Sequence, residues 1–165
     1  MVAAAGLLAA ACGGDGSGGG ESSEYYVRAT ITLTDGQVID FDQACNVTQA
    51  DIMDESLWGI EAKDIAVPIG LVFSWKESHV TGPGTHDASE GIGDFSVSVA
   101  RQHPTDPSKV RISTAGDGSV TFSALDYAPG SAIDGTFDGI VMQRDEPDDQ
   151  VHITADDGSF HCRVD

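Results

Sequence analysis

Apolar and polar residues alternate with a period of two along most of the chain beyond residue 25, and Gly, Asp and Pro interrupt this alternation at short intervals. A helical repeat is almost absent. Alternation of this kind is typical of strands that bury one face. Short strands separated by frequent turn residues predict an all-β domain, an antiparallel sandwich or barrel, instead of a parallel α/β sheet.

The first hairpin of this domain has a register that the sequence predicts. If residues 34–36 form a three-residue loop with Gly36 in the left-handed conformation, Ile31 faces Ile39 and Ala29 faces Phe41. A two-residue loop would instead pair Ile31 with an aspartate. The three-residue loop is therefore the expected connection.

A second hairpin is predicted at the end of the chain, where Asp157 and Gly158 are typical of a two-residue turn. This turn places the apolar residues of both strands on one face. The predicted pairs are Ala155 with Phe160, Ile153 with Cys162 and Val151 with Val164. His152 and His161 then lie on the outer face as diagonal neighbours, near enough to share a metal ion or simply exposed to solvent.

Several further segments alternate or are short and apolar, and turn residues bound them. With the two hairpins they give about nine or ten strands, a number usual for a sandwich or barrel. These strand candidates are 69–76, 94–102, 109–114, 119–125, 135–142 and the less regular 58–62. One short helix is predicted over 49–56, which Thr48 would cap with Asp51 in the reciprocal position.

Charge limits the partners of this domain. The chain has 27 Asp and Glu residues against 8 Lys and Arg, a net charge of −19. Nucleic acid and anionic lipid are therefore poor partners, because no basic surface would receive a polyanion. The acidic residues are scattered, which fits either a solvated, self-repelling surface or calcium binding, and no EF-hand loop is present.

The beginning of the chain has the features of a targeting signal. Residues 2–11 are apolar but fewer than the roughly 20 that a membrane-spanning helix needs. They end in Leu8-Ala9-Ala10-Ala11, and Cys12 follows directly. This stretch resembles the lipobox of bacterial-type lipoproteins, a resemblance that implies cleavage before Cys12 and its lipidation. No basic residue precedes the apolar stretch, and we therefore expect the true start to lie upstream of Met1.

The resemblance also implies a location and a domain organisation. Residues 1–11 would be the signal segment, and residues 12–24 would be the lipidated cysteine with a Gly/Ser-rich tether that cannot bury apolar surface. Residues 25–165 would form a single β domain. The resemblance implies an exported protein held in the cell envelope, and Gly13 directly after the cysteine favours an outer membrane or cell surface.

Cys45 and Cys162 remain as a pair once Cys12 carries lipid. Export would place both in a compartment where disulfides persist. Because Cys162 is on the predicted core face, a disulfide between them would tie the start of the domain to its end. Two separate buried thiols are the alternative.

The long connection over 77–93 is the main candidate for a functional site. At about 17 residues it exceeds the usual connection length, and functional residues are often found in long loops. It contains His79, His86, Asp87 and Glu90, a ligand set suited to a divalent metal ion. We expect this loop to be mobile without a metal. A polar loop with no ligand is the other interpretation.

No common catalytic motif occurs, and no catalytic residue is assigned. We therefore expect a lipid-anchored envelope protein that acts as a binding, adhesion or assembly module, requires no cofactor and takes a protein or glycan ligand. The alternative is a metal-dependent envelope enzyme, hydrolase-like, that uses the 77–93 loop. An enzyme would need a concave site where ligands, acid and base converge.

Overall fold

The computed structural model describes residues 24–52, 54–90, 94–102, 110–144 and 151–165. Within these ranges the secondary structure consists of nine β-strands and no helix, which confirms the all-β prediction. In chain order the strands are β1 (Tyr26–Thr32), β2 (Val38–Ile52), β3 (Glu55–Asp64), β4 (Ile69–Lys76), β5 (Gly84–Asp87), β6 (Phe95–Gln102), β7 (Val110–Leu125), β8 (Ala132–Arg144) and β9 (Val151–Arg163).

Eight of the strands close into an antiparallel barrel. Around the barrel the order is β7, β6, β4, β3, β2, β1, β9 and β8, and pairing of β7 with β8 completes the circle. The short strand β5 is the ninth. It pairs with the second half of β7, beyond the part of β7 that pairs with β6. The structure is therefore a barrel and not a two-sheet sandwich.

The first predicted hairpin is confirmed in its register and in its loop. Ile31 pairs with Ile39, and Ala29 pairs with Phe41. Gly36 has a φ of 83°, the left-handed conformation that the three-residue loop requires. The alternation of apolar residues places these four side chains in the core, where each is at most 7% exposed.

The predicted helix over 49–56 is wrong. Residues 49–52 continue β2, and residues 55 and 56 begin β3. Gln49 pairs with Trp58 and Asp51 pairs with Ser56 in a regular antiparallel ladder. A capping pattern is a local preference of about 1 kcal/mol, and a ladder that also buries Trp58 outweighs it.

The predicted turn at Asp157 and Gly158 is also wrong. Both residues lie inside β9, which pairs with β1 on one side and with β8 on the other. Asp157 has a φ of 51°, and the register with β1 shifts at this point. The Asp-Gly pair therefore forms a β-bulge, a feature that uses the same left-handed conformation as a tight turn.

The segments 109–114 and 119–125 are likewise one strand, β7, instead of two. Gly118 lies between them with a φ of 108°. The register between β7 and β8 shifts on both sides of Asp117, so the interruption in the sequence is again a bulge. Long bulged strands can bend around a small barrel, and this bending allows the sheet to close.

Aromatic side chains fill the barrel interior. Phe73 contacts Phe137 and Phe160 at ring-centroid distances of 5.1 and 5.5 Å. Trp75 and Phe122 pack edge to face at 5.2 Å. An eight-stranded barrel has an interior just wide enough for side chains. The outer surface and the connections therefore carry the candidate sites.

Candidate functional site

Three predicted ligand residues come together on the connection between β4 and β6. One ligand atom each from His79, His86 and Glu90 lies within 4.8 Å of the others. The closest pair is His79 Nε2 and Glu90 Oε2, 2.6 Å apart. We call these three residues the His–His–Glu cluster, and the segment 77–90 that carries them the strap.

The strap is not the structureless loop that its composition predicts. Residues 84–87 form β5, and two small apolar side chains, those of Val80 and Ala88, are completely buried. The amide of Ala88 donates to the carbonyl of Gly118 at 3.0 Å. In the sequence, the only indication that the strap packs against the barrel is the presence of these two apolar residues in an otherwise polar segment.

His79 is held by a turn at the end of β4. The amides of His79 and Val80 both donate to the Lys76 carbonyl, at 3.1 and 3.0 Å. The Tyr127 hydroxyl donates to the Val80 carbonyl and accepts from Trp75 Nε1 at 2.9 Å. The backbone beside His79 is thus fixed to Tyr127 and, through Tyr127, to Trp75 of β4.

His86 lies on β5 against an aromatic surface. Its ring centroid lies 5.6 Å from that of Phe95 and 5.9 Å from that of Phe122. Burial lowers the pKa of His86, the neighbouring His79 lowers it further, and Glu90 acts in the opposite direction. Metal ions bind the neutral imidazole, so this environment favours the form of His86 that can act as a ligand.

Glu90 follows β5 and returns toward His79. Its amide lies 3.4 Å from the Asp87 carbonyl, in the turn that ends β5. The side chains of His79 and Glu90 are 36% and 33% exposed. The cluster is therefore accessible from solvent while its backbone is anchored on both sides.

Asp87 was predicted as a ligand, and the structure does not bring it into the cluster. It adjoins His86 on β5, and successive side chains of a strand point to opposite faces. Its carboxylate accepts from the backbone amide of Ser89 at 2.8 Å and from the Ser89 hydroxyl at 2.6 Å. These hydrogen bonds lower the pKa of Asp87. Its role is to shape the turn after β5.

Two imidazoles and one carboxylate are suited to a transition-metal ion. Zn²⁺ binds His nitrogen and carboxylate oxygen at about 2.0–2.2 Å, so ligand atoms around it are about 3.4 Å apart. In the cluster the ligand atoms lie within 4.8 Å of one another. Rotation of the exposed side chains can bring them to the spacing that zinc requires. Calcium and magnesium prefer oxygen ligands only. The donor set therefore selects zinc or a similar ion.

The second predicted histidine pair does not form. His152 and His161 lie nine positions apart on the same strand, β9, which separates their backbones by about 30 Å at 3.3 Å per residue. They cannot share a metal ion. His161 instead contacts the Asp134 carboxylate and stacks on Tyr25, while the side chain of His152 lies outside the described part.

Cys45 and Cys162 form a disulfide with a Cα–Cα distance of 5.9 Å and a sequence separation of 117. It joins β2 to β9 across the start of β1, where Tyr26 pairs with Ala44 and His161. Cys12, the predicted lipidation site, and the whole tether lie outside the described residues. Within the described ranges, no helix has the length and apolarity to span a membrane.

Comparison with known proteins adds no functional assignment. No family model matches this chain, and neither a curated protein nor a solved structure matches it.

Proposed function

We propose that this chain is a lipid-anchored envelope module that binds a transition-metal ion, zinc in the first instance, at the His–His–Glu cluster. The observation that carries the proposal is the convergence of three ligand atoms within 4.8 Å on an anchored strap. The lipid on Cys12 would hold the domain at the membrane surface, and the Gly/Ser tether would allow it to extend from that surface.

The charge of the protein supports cation binding. A net charge of −19 raises the local concentration of cations around the domain and speeds their association. This long-range attraction does not distinguish one cation from another. The two imidazoles make the site selective, because nitrogen ligands favour zinc over calcium and magnesium.

A binding role fits the cluster better than a hydrolytic one. Catalytic sites are concave and exclude water around acid, base and metal. In this cluster His79 and Glu90 are about one-third exposed, and the strap presents them outward. We therefore favour a metal-binding module over a metal-dependent hydrolase.

Isothermal titration of the purified, chelator-treated protein with zinc tests this function. We expect one ion per chain for the wild type and no saturable binding for His79→Ala/His86→Ala. Glu90→Gln should weaken binding by at least the roughly 10–100-fold loss that follows removal of an outer-shell partner, because Glu90 is a ligand itself. Excess calcium should not displace the zinc.

Asp87→Asn is the matched control. It lies in the same strap and removes one charge, but Asn keeps an oxygen that can accept from Ser89. Zinc binding by this variant should equal that of the wild type. Equal zinc binding by the wild type and the double histidine variant would overturn the proposed site.

A further inference from the structure

A second surface feature lies where β1 begins and β9 ends, apart from the strap. It is a depression of about 150 Å³, lined by Tyr25, Cys45, Asn46, Val47, Arg163 and Asp165. Cofactor and drug-sized ligands occupy pockets of about 300–1,000 Å³. This depression can therefore hold one small ring or one unit of a larger ligand.

Tyr25, one of the residues that line the depression, carries an aromatic ring in a fixed orientation. The rings of Tyr25 and His161 stack at a centroid distance of 5.4 Å and an interplanar angle of 25°. His161 is held in turn by a hydrogen bond between its Nδ1 atom and the Asp134 carboxylate. Tyr26 packs against the same imidazole at 6.3 Å. Tyr25 is thus supported as an aromatic surface.

The polar groups of the depression are diverse and exposed. Arg163 is exposed and makes no ion pair within the described part of the chain, whereas Arg28 pairs with Asp42 at 3.0 Å. Asn46 and Asp165 are also exposed. Together they offer guanidinium donors, an amide that donates and accepts, and a carboxylate that accepts.

The backbone that carries these groups is cross-linked. Cys45 lines the depression, and its disulfide partner Cys162 directly precedes Arg163. The amide of Val164, on the other side of Arg163, donates to the Ser131 carbonyl at 3.0 Å. A site whose backbone is fixed loses less conformational entropy when it binds a ligand.

We propose that this depression binds a single neutral pyranose unit of a glycan. One face of a pyranose ring consists of C–H groups and packs on an aromatic ring such as Tyr25. Its hydroxyl groups both donate and accept, and they match the mixed set of Arg163, Asn46 and Asp165. This assignment gives the binding module a second ligand. It uses no residue of the His–His–Glu cluster, so either site can fail without the other.

Charge favours a neutral ligand over an acidic one. Arg163 and Asp165 place one positive and one negative group in the same depression. An anion would gain from the guanidinium but would be repelled by the carboxylate and by the net charge of −19. A neutral polyhydroxyl ring can form hydrogen bonds with both groups at once.

The test is an NMR titration of the full ¹⁵N-labelled chain with a panel of methyl hexopyranosides and methyl glucuronide, up to about 50 mM, a concentration range that covers a millimolar dissociation constant. At least one glycoside should shift the amide signals of Asn46, Val47 and Arg163 in a saturable way. Tyr25→Ala and Arg163→Ala should each abolish the saturable shifts, and Tyr25→Phe should retain them. Lys63→Ala removes an exposed cation elsewhere and should bind as the wild type does.

Three outcomes would overturn the proposal. The first is the absence of saturable shifts with every glycoside. The second is persistence of the shifts in folded Tyr25→Ala and Arg163→Ala, with folding judged by the rest of the spectrum. The third is binding of the methyl glucuronide in preference to the methyl glucoside, because that would identify an anion site.

Discussion

Gly158 and Phe137 pair directly across β8 and β9, and a Cβ atom on Gly158 would lie 2.1 Å from Phe137 Cε2. A second pair repeats this arrangement with the strands exchanged. Gly135 pairs with Phe160, and a Cβ atom on Gly135 would lie 2.3 Å from Phe160 Cζ. Each phenylalanine ring covers the glycine opposite to it, which is how these glycines are accommodated inside strands.

This relationship predicts that Gly158→Ala destabilises the domain. The added methyl group cannot be accommodated unless Phe137 moves, and Phe137 is 2% exposed within the core. Overpacking of this kind reduces the free energy of unfolding by about 1–3 kcal/mol. Denaturant unfolding of the purified domain measures the change. Gly82→Ala is the control, because nothing lies within 4 Å of its added Cβ atom, and equal effects of the two substitutions would contradict the packing argument.

The Cys45–Cys162 disulfide should contribute strongly to stability, since it closes a long loop between β2 and β9. Cys45→Ser should lower the free energy of unfolding by about 2–5 kcal/mol. Cys162→Ser and the double variant should lose a similar amount, because all three lack the same bond. In unfolded, unreduced wild-type protein, thiol titration should find neither cysteine free, and two reactive thiols would refute the pairing.

Zinc should protect the middle of the strap from proteolysis. Thr81 and Pro83 are exposed, and a metal held by His79 and His86 would bridge this stretch and restrict it. We expect zinc to slow cleavage between residues 79 and 86 and to leave the barrel strands unaffected. His79→Ala/His86→Ala should be cleaved at one rate with and without zinc. Identical cleavage of wild type and variant in both conditions would remove the metal site.

Glu61 should make stability depend on pH. Burial raises its pKa, an effect that Lys63 partly offsets, so the folded state disfavours the carboxylate. Above the pKa that Glu61 has in the folded state, the buried carboxylate therefore lowers the free energy of unfolding. This loss disappears as pH falls through that pKa, because Glu61 becomes protonated. Glu61→Gln should therefore raise the thermal midpoint at about pH 7 and give a smaller gain at about pH 4.

Glu24→Gln removes one negative charge at an exposed position and controls for the change in net charge. A gain for Glu24→Gln as large as that for Glu61→Gln would assign the effect to net charge instead of burial.

Cys12→Ser should release the protein from the membrane fraction. The acyl chains on Cys12 are the proposed anchor. Residues 2–11 are fewer than the roughly 20 apolar residues that a helix needs to cross a bilayer. The variant and the wild type should be expressed from the same start and compared by membrane fractionation. Retention of the serine variant in membranes would argue against lipidation.

The sequence alone determined the strand content and much of the local pairing. Alternation predicted an all-β domain, and β4 begins and ends at the predicted residues 69 and 76. The register of the β1–β2 hairpin followed from one loop glycine. These features depend on interactions between residues close in sequence, namely the period of two along a strand and the backbone preference of Gly36.

Only the tertiary structure decided how long the strands are and which side chains meet. Asp157-Gly158 has the same local preference in a turn and in a bulge, and pairing of β9 with both β1 and β8 selected the bulge. Alternation along β5 separated Asp87 from His86, while the turn after β5 brought Glu90 to His79. Strand pairing between distant segments determines these outcomes, because burial and ladder hydrogen bonds together outweigh local preferences of about 1 kcal/mol.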